Sequence, residues 1–328
     1  MELPVRPLDD TDLEQLLQPD VTPRGARRPS HLGRRPVPPT PQDRPVLLDF
    51  WDLTKPELSF LVALSALAGF LLGSPGELDG WLLFNTLIGT ALSSGGGGAL
   101  NHYLERHLDG QMRRTAQRPL PSGRISGWAA VVFGTVLVLV GIGTLFLLVN
   151  VLTAALAALT VVLYLFVYTP LKRRTRYNTL IGTIPGALPA LGGWTAATGH
   201  FGAGGWAFFL ILALWQMPHF LSLAWMYRKD YARAGYAMLP VKEPDGHSTA
   251  RQTLLFTVLL TGASILPTMV GVTGWVYLVG ALILSFRFLV PAYAFYRSRS
   301  TTAARRVLMG SILYIPLLVV LIFVDRLL

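Results

Sequence analysis

The sequence predicts an all-α polytopic membrane protein, with about nine transmembrane helices bundled around a central cavity that opens near the cytosolic face. Three observations lead there. Of the 328 residues, 52% are hydrophobic and 14% charged, more apolar than a soluble chain of this length needs for its core. Apolar runs of roughly 17 to 24 residues recur from Leu58 onward, the length a helix needs to cross about 30 Å of hydrocarbon. Polar clusters fall between alternate runs, and they hold nearly all the basic charge.

Residues 1–46 are rich in Pro and Arg and lack any apolar run, so they cannot bury enough surface to fold alone. A disordered cytosolic tail is expected there, followed by one membrane domain over 47–328. Glu2, Asp9, Asp10, Asp12 and Glu14 set the tail apart from a mitochondrial transit peptide, which is poor in acids, and it has no signal-peptide h-region. A bacterial inner membrane is the expected location.

The expected spans are 57–73, 81–102, 127–148, 151–169, 178–198, 205–226, 252–272, 274–296 and 305–325. The third and fourth meet near Asn150, the seventh and eighth near Gly271 to Gly274, where turn residues interrupt the apolar text. Glycines 95 to 98 would weaken a soluble helix, but in a membrane they let a neighbouring helix approach the backbone.

Topology follows from the basic residues. The tail, through Lys55, and the loops after spans two, four, six and eight carry 26 of the 28 Lys and Arg. With nine crossings, all those segments share one side, so the positive-inside rule puts them and the N-terminus in the cytosol and the C-terminus opposite. This explains the net charge of +10 better than nucleic-acid binding does, since the arginines are dispersed between apolar runs. The absence of Cys excludes disulfides, thiolate metal sites and cysteine nucleophiles.

The charged stretch from Asn101 to Arg124 holds the leading candidate site. Asn101, Glu105 and Asp109 recur every fourth residue and share one helix face. Arg113, Arg114, Arg118 and Arg124 follow, guanidinium groups suited to bidentate pairing with phosphate. Carboxylates beside arginines fit a diphosphate bridged by a hard cation such as Mg²⁺, which prefers oxygen ligands. A solvated, salt-bridged helix end accounts for the same residues.

Two further clusters sit on the same side. Lys229, Asp230 and Tyr231 follow span six, where a second carboxylate would let two metal ions grip one diphosphate; a snorkelling interfacial cluster has the same composition. Within that span, His219 lies one helical turn from Trp215, and an intramembrane histidine is either a ligand-contacting group or a hydrogen bonder to a neighbouring helix. His102 is read as lying at headgroup level. Lys172, Arg173 and Arg174 precede Asn178 and either neutralise a leaving group or mark topology. Glycines and prolines at 182, 185, 186, 189, 192 and 193 predict a kinked helix lining a cavity.

Three of these segments together resemble the UbiA-type intramembrane prenyltransferases, and within them the branch that farnesylates heme. The family pattern of Asn, three residues, Asp, three residues, Asp is matched by Asn101, Glu105 and Asp109, with Glu105 extending the middle carboxylate by one methylene. MRRTAQRPLPSGRIS, KRRTRYNTLIGTIPGALPALGGWTAATG, WQMPHFLSLAW with KDYARAGYAMLPV, and ARRVLMGSILYIPLL are similar to further stretches of that branch, with Gln117 and Ala190 as departures. The resemblance covers residues 50 to 325.

It implies a fold and a reaction. Farnesyl diphosphate would dock on Mg²⁺ held by Asn101, Glu105 and Asp109, with a second ion near Asp230, and these four would be the catalytic set. Arg113, Arg114, Arg118, Lys172, Arg173 and Lys229 would bind the diphosphate. Heme B would present a vinyl carbon as nucleophile, with His219, Trp215 and Asn178 as its binding candidates, and water would complete the hydroxyethylfarnesyl group of heme O. The expected partners are these two substrates, the lipid bilayer and a heme A synthase, with no nucleic acid. An aromatic quinone precursor or a chlorophyllide as acceptor is the alternative on the same scaffold. A transporter, which predicts charge at mid-membrane and internal repeats, is the alternative from another class.

Overall fold

The computed structural model describes residues 44–328, all helices and connections. The expected tail lies outside these residues apart from its last positions. The described helices are α1 (Val46–Leu53), α2 (Pro56–Gly73), α3 (Gly80–Asp109), α4 (Gly127–Leu148), α5 (Val151–Arg174), α6 (Asn178–Thr198), α7 (Ala203–Met226), α8 (Arg228–Arg233), α9 (Leu239–Lys242), α10 (His247–Ala263), α11 (Trp275–Ser298) and α12 (Thr301–Arg326). A short turn, Leu266–Met269, extends α10.

Seven of these are long and apolar enough to cross a membrane: α2, α4, α5, α7, α10 with its extension, α11 and α12. The second and fifth expected spans are filled by α3 and α6, helices of 30 and 21 residues that fall short of the others in apolarity. Their Gly, Ser, Thr, Asn and Pro residues lower it, and 14 residues of each are buried. Length and apolarity therefore account for seven of the nine expected crossings. Bulky apolar side chains such as Leu139, Leu147, Phe166, Val290 and Leu313 stand exposed on the helices, as lipid contact requires. The chain is a multi-pass membrane protein.

Caps fix where several rods begin. Asp79, Ser126, Asn150 and Ser300 each accept a hydrogen bond from the backbone N–H three residues on, satisfying a donor that the first helical turn leaves free. Asn150 also donates to Thr195 O at 2.9 Å, so the short link between α4 and α5 is tied to the end of α6. At the same end of the bundle, Asp325 accepts from Tyr277 N at 2.9 Å and Arg326 donates to Leu71 O at 3.1 Å.

Three of the four consecutive glycines pack as predicted. A Cβ on Gly96 would lie 2.7 Å from Val138 N, and one on Gly98 or Gly95 would press on the Thr54 region, so α3 meets α4 and the start of α2 at backbone distance. Gly97 differs. Nothing lies closer than 3.9 Å to its Cβ position, and it lines the central cavity.

Within α5 the chain widens into a π-helical stretch, Leu163–Tyr168, just before Pro170. Proline lacks the N–H and its ring crowds the carbonyl four residues back, so one wide turn relieves the clash. Thr169 Oγ1 then donates to Tyr164 O at 2.8 Å, closing the gap. The widened turn carries Tyr164 and Tyr168 to the cavity.

Candidate active site

A cavity of about 770 Å³ runs into the bundle between α2, α3, α5, α6 and α7. Its charged end is lined by Glu105, Asp109, Arg114, Arg118 and Lys172, and deeper walls by Leu145, Leu156 and Leu188. Pro185, Gly186, Pro189 and Gly192 of α6 line it as well, which agrees with the expected kinked lining helix.

The carboxylates of α3 are buried, and each meets a cation from elsewhere in the chain. Lys172 donates to both oxygens of Glu105, at 2.8 and 3.1 Å, and Tyr236 OH donates to the same group at 3.1 Å. Arg118 Nη1 lies 2.9 Å from Asp109 Oδ2. Asn101, fully buried, donates to Thr169 Oγ1 at 2.9 Å and accepts from Lys55 Nζ. The loop after α3 is held by Thr115 Oγ1 donating to Asp109 O at 2.7 Å and by Arg124 Nε, 3.0 Å from Asp49. Arg114 is placed 4.8 Å from the ring centres of both Tyr227 and Tyr231.

The remaining expected residues stand elsewhere. Arg113, Arg173 and Lys229 are exposed and not in the cavity wall, and Asp230 pairs with Arg233 at 3.0 Å outside it. Asn178 is buried and donates to Thr175 O and Ala237 O, tying α6 to the segment after α7. Trp215 Nε1 donates to Ser311 O at 2.9 Å and His219 Nδ1 lies 2.8 Å from Ser311 Oγ, so both face α12. Their neighbours Gln216 and Phe220 face the cavity instead. Among the described residues no three His, Cys, Asp or Glu side chains gather closely enough to hold a metal. The oxygen donors of Glu105 and Asp109, both in the wall, nonetheless suit a hard cation once their Lys172 and Arg118 partners turn to an incoming anion.

Several functional candidates escaped the sequence reading. Lys55 reaches the cavity from the link before α2, within 3.1 Å of Tyr164 OH, and burial of its ammonium pushes its pKa down to about 7, opposed by the charge of Glu105. Its backbone is left-handed, with φ of 50°. Tyr164, Tyr168, Tyr236, Gln117 and Asp52 complete the polar wall. Burial raises the Tyr236 phenol, as does the neighbouring Glu105 carboxylate, so it stays a proton donor to that carboxylate.

Comparison with known proteins agrees with this architecture. The UbiA prenyltransferase family model matches residues 62–315. The protoheme IX farnesyltransferase of Salinibacter ruber is 62% identical over 280 residues, covering 85% of this chain and 99% of that one. A solved digeranylgeranylglyceryl phosphate synthase superposes with a TM-score of 0.71 at 18% identity, over 85% of this chain and 98% of that one. A UbiA homologue from Archaeoglobus fulgidus bound to GPP and Mg²⁺ gives a TM-score of 0.59 at 16% identity, over 84% and 99%. A charged mouth over an apolar chamber, built on this helix order and matched by the family model over most of its length, places the chain in the UbiA prenyltransferase family.

Proposed function

We propose that the chain transfers the farnesyl group of farnesyl diphosphate to a vinyl group of heme B, giving heme O. The observation that carries this is the 62% identity, over 85% of this chain and 99% of the other, with a protoheme IX farnesyltransferase. The cavity supports it, since a charged head and a long apolar tail need the two environments that its wall supplies.

Lys55, Arg114, Arg118 and Lys172 would hold the diphosphate and stabilise the charge that grows on it, a large part of catalysis in reactions of this kind. Glu105 and Asp109, with the Asn101 amide beside them, are the residues that would hold Mg²⁺, which when bound neutralises diphosphate charge; the Archaeoglobus fulgidus homologue of the same fold is itself bound to Mg²⁺. Asp230 would serve a second ion if Arg233 releases it, and Arg113, Arg173 and Lys229 would act from the exposed rim.

As the C1–O bond breaks, its electron pair leaves with the diphosphate. The vinyl group supplies the electrons for the new C–C bond, and water adds to the adjacent carbon and loses a proton. Tyr164, Tyr168 and Phe220 line the cavity and would supply aromatic surface to the allylic cation, and the apolar wall limits water around it. The site faces the cytosol of a bacterial inner membrane, on the distribution of Lys and Arg, and a heme A synthase would consume the product.

Membranes containing the chain, given labelled farnesyl diphosphate with heme B or with a quinone precursor, test the assignment. Label in heme O is the expected result. Label only in a prenylated quinone precursor would overturn it.

A further inference from the structure

His102 lines the cavity wall and is 3% exposed, and its two ring nitrogens, both covered by neighbouring atoms, have no hydrogen-bond partner within the protein. A buried donor and acceptor left unpaired are costly, so such a ring is suited to a ligand that completes it. Its depth identifies the part of the ligand. An α-helix rises about 1.5 Å per residue, so His102 lies about 4.5 Å deeper along α3 than Glu105 and about 10 Å deeper than Asp109. Toward the mouth the wall is Glu105, Asp109, Arg118 and Lys172; further in it is Leu145, Leu156 and Leu188. An isoprenoid diphosphate must put its head in the first region and its tail in the second. The ester bond that joins them therefore falls at the level of His102.

Lys55, Arg118 and Lys172 also stand within electrostatic range of the ring, which favours an anion beside it. We propose that, once the arriving diphosphate draws the covering side chains aside, His102 donates a hydrogen bond to the phosphate oxygen attached to C1 of the isoprenoid, the oxygen that leaves when the bond breaks. This rests on the reading of the charged mouth as the diphosphate site. When C1–O cleaves, the electron pair stays on that oxygen and no proton moves. The hydrogen bond from the ring N–H strengthens as charge grows there, so His102 acts on the transition state more than on binding.

The test uses the full chain in lipid nanodiscs, with three readouts: kcat for transfer, Kd for 2,3-dihydrofarnesyl diphosphate, an analogue that keeps the oxygen on C1 but is not allylic and so resists cleavage, and melting temperature. His102→Phe keeps a ring but no donor, and His102→Gln restores an N–H. For His102→Phe, kcat is expected to fall about 10- to 100-fold while the analogue Kd moves by less than about threefold, and His102→Gln should recover most of the loss. The inference is overturned if both variants match wild type, if turnover and analogue affinity fall together with melting temperature, or if neither variant folds. Wild-type chain that binds neither the analogue nor inorganic diphosphate would instead defeat the reading of the mouth itself, a result visible before any variant is made.

Discussion

Lys172 reaches from the end of α5 to set its ammonium 2.8 and 3.1 Å from the two carboxylate oxygens of Glu105 on α3. The pair joins helices 67 residues apart in the chain and closes one wall of the cavity mouth. Breaking a buried pair from one side leaves a charge uncompensated and costs about 3–5 kcal/mol, whereas removing both sides costs far less. Glu105→Gln and Lys172→Met should each lower the melting temperature, and the double variant should recover much of the loss. Activity should separate from stability here, with the double variant stable but at least about 100-fold slower in heme O formation. A double variant that regains turnover would mean the pair is structural only.

Asp109 and Asp230 are predicted to differ in kind. Asp109 lies in the wall beside Arg118, so Asp109→Asn should remove transfer while membrane insertion and expression persist. Asp230 stands outside the wall on Arg233, so Asp230→Asn should raise the Mg²⁺ concentration needed for half-maximal turnover rather than abolish it. Titrating Mg²⁺ after EDTA treatment distinguishes the two; identical curves for Asp230→Asn and wild type would remove the second ion.

Adjacent glycines should respond in opposite ways. Gly96→Ala forces a methyl against Val138 and should destabilise the α3–α4 seam by about 1–3 kcal/mol, read as a lower melting temperature. Gly97→Leu enters open cavity and should leave melting nearly unchanged while shortening the isoprenoid chain the enzyme accepts. Competition between geranyl, farnesyl and geranylgeranyl diphosphates measures that shift. Unaltered preference would show that the tail runs elsewhere.

Binding should take up protons. With its pKa pushed down to about 7, Lys55 is largely neutral at pH 8 in the free protein, and an arriving diphosphate favours its charged form. Calorimetry of farnesyl S-thiolodiphosphate at pH 8, in buffers of different ionisation enthalpy, should report proton uptake, and affinity should weaken as pH rises above about 7. Lys55→Met should lose both effects. For folding the sign is reversed: the unfolded lysine holds its proton up to about 10.4, so this group's contribution to stability grows as pH rises from about 7 toward that value.

The stripe of Asn101, Glu105 and Asp109 was legible because helical spacing is local, and the lipid-facing helices were legible because apolar runs are. Contacts between distant segments were not. Lys55 reads as one more basic residue flanking a span, yet it meets Asn101, 46 positions on. Tyr236 reads as an interfacial tyrosine, yet it is bonded to Glu105, 131 positions away. The WQMPHF segment failed by rotation: one residue is about 100° on a helix, enough to turn Trp215 and His219 to α12 while Gln216 and Phe220 face the cavity. Nothing in the text of α5 announces a π turn except Pro170, and prolines are common in membrane helices.

The left-handed backbone at Lys55 leaves that position with few permissible occupants. Glycine, and less fully asparagine, would relax the chain there, and neither has an ammonium to offer. Drift at this site is thus penalised from two directions, conformational ease being obtainable only by surrendering the charge.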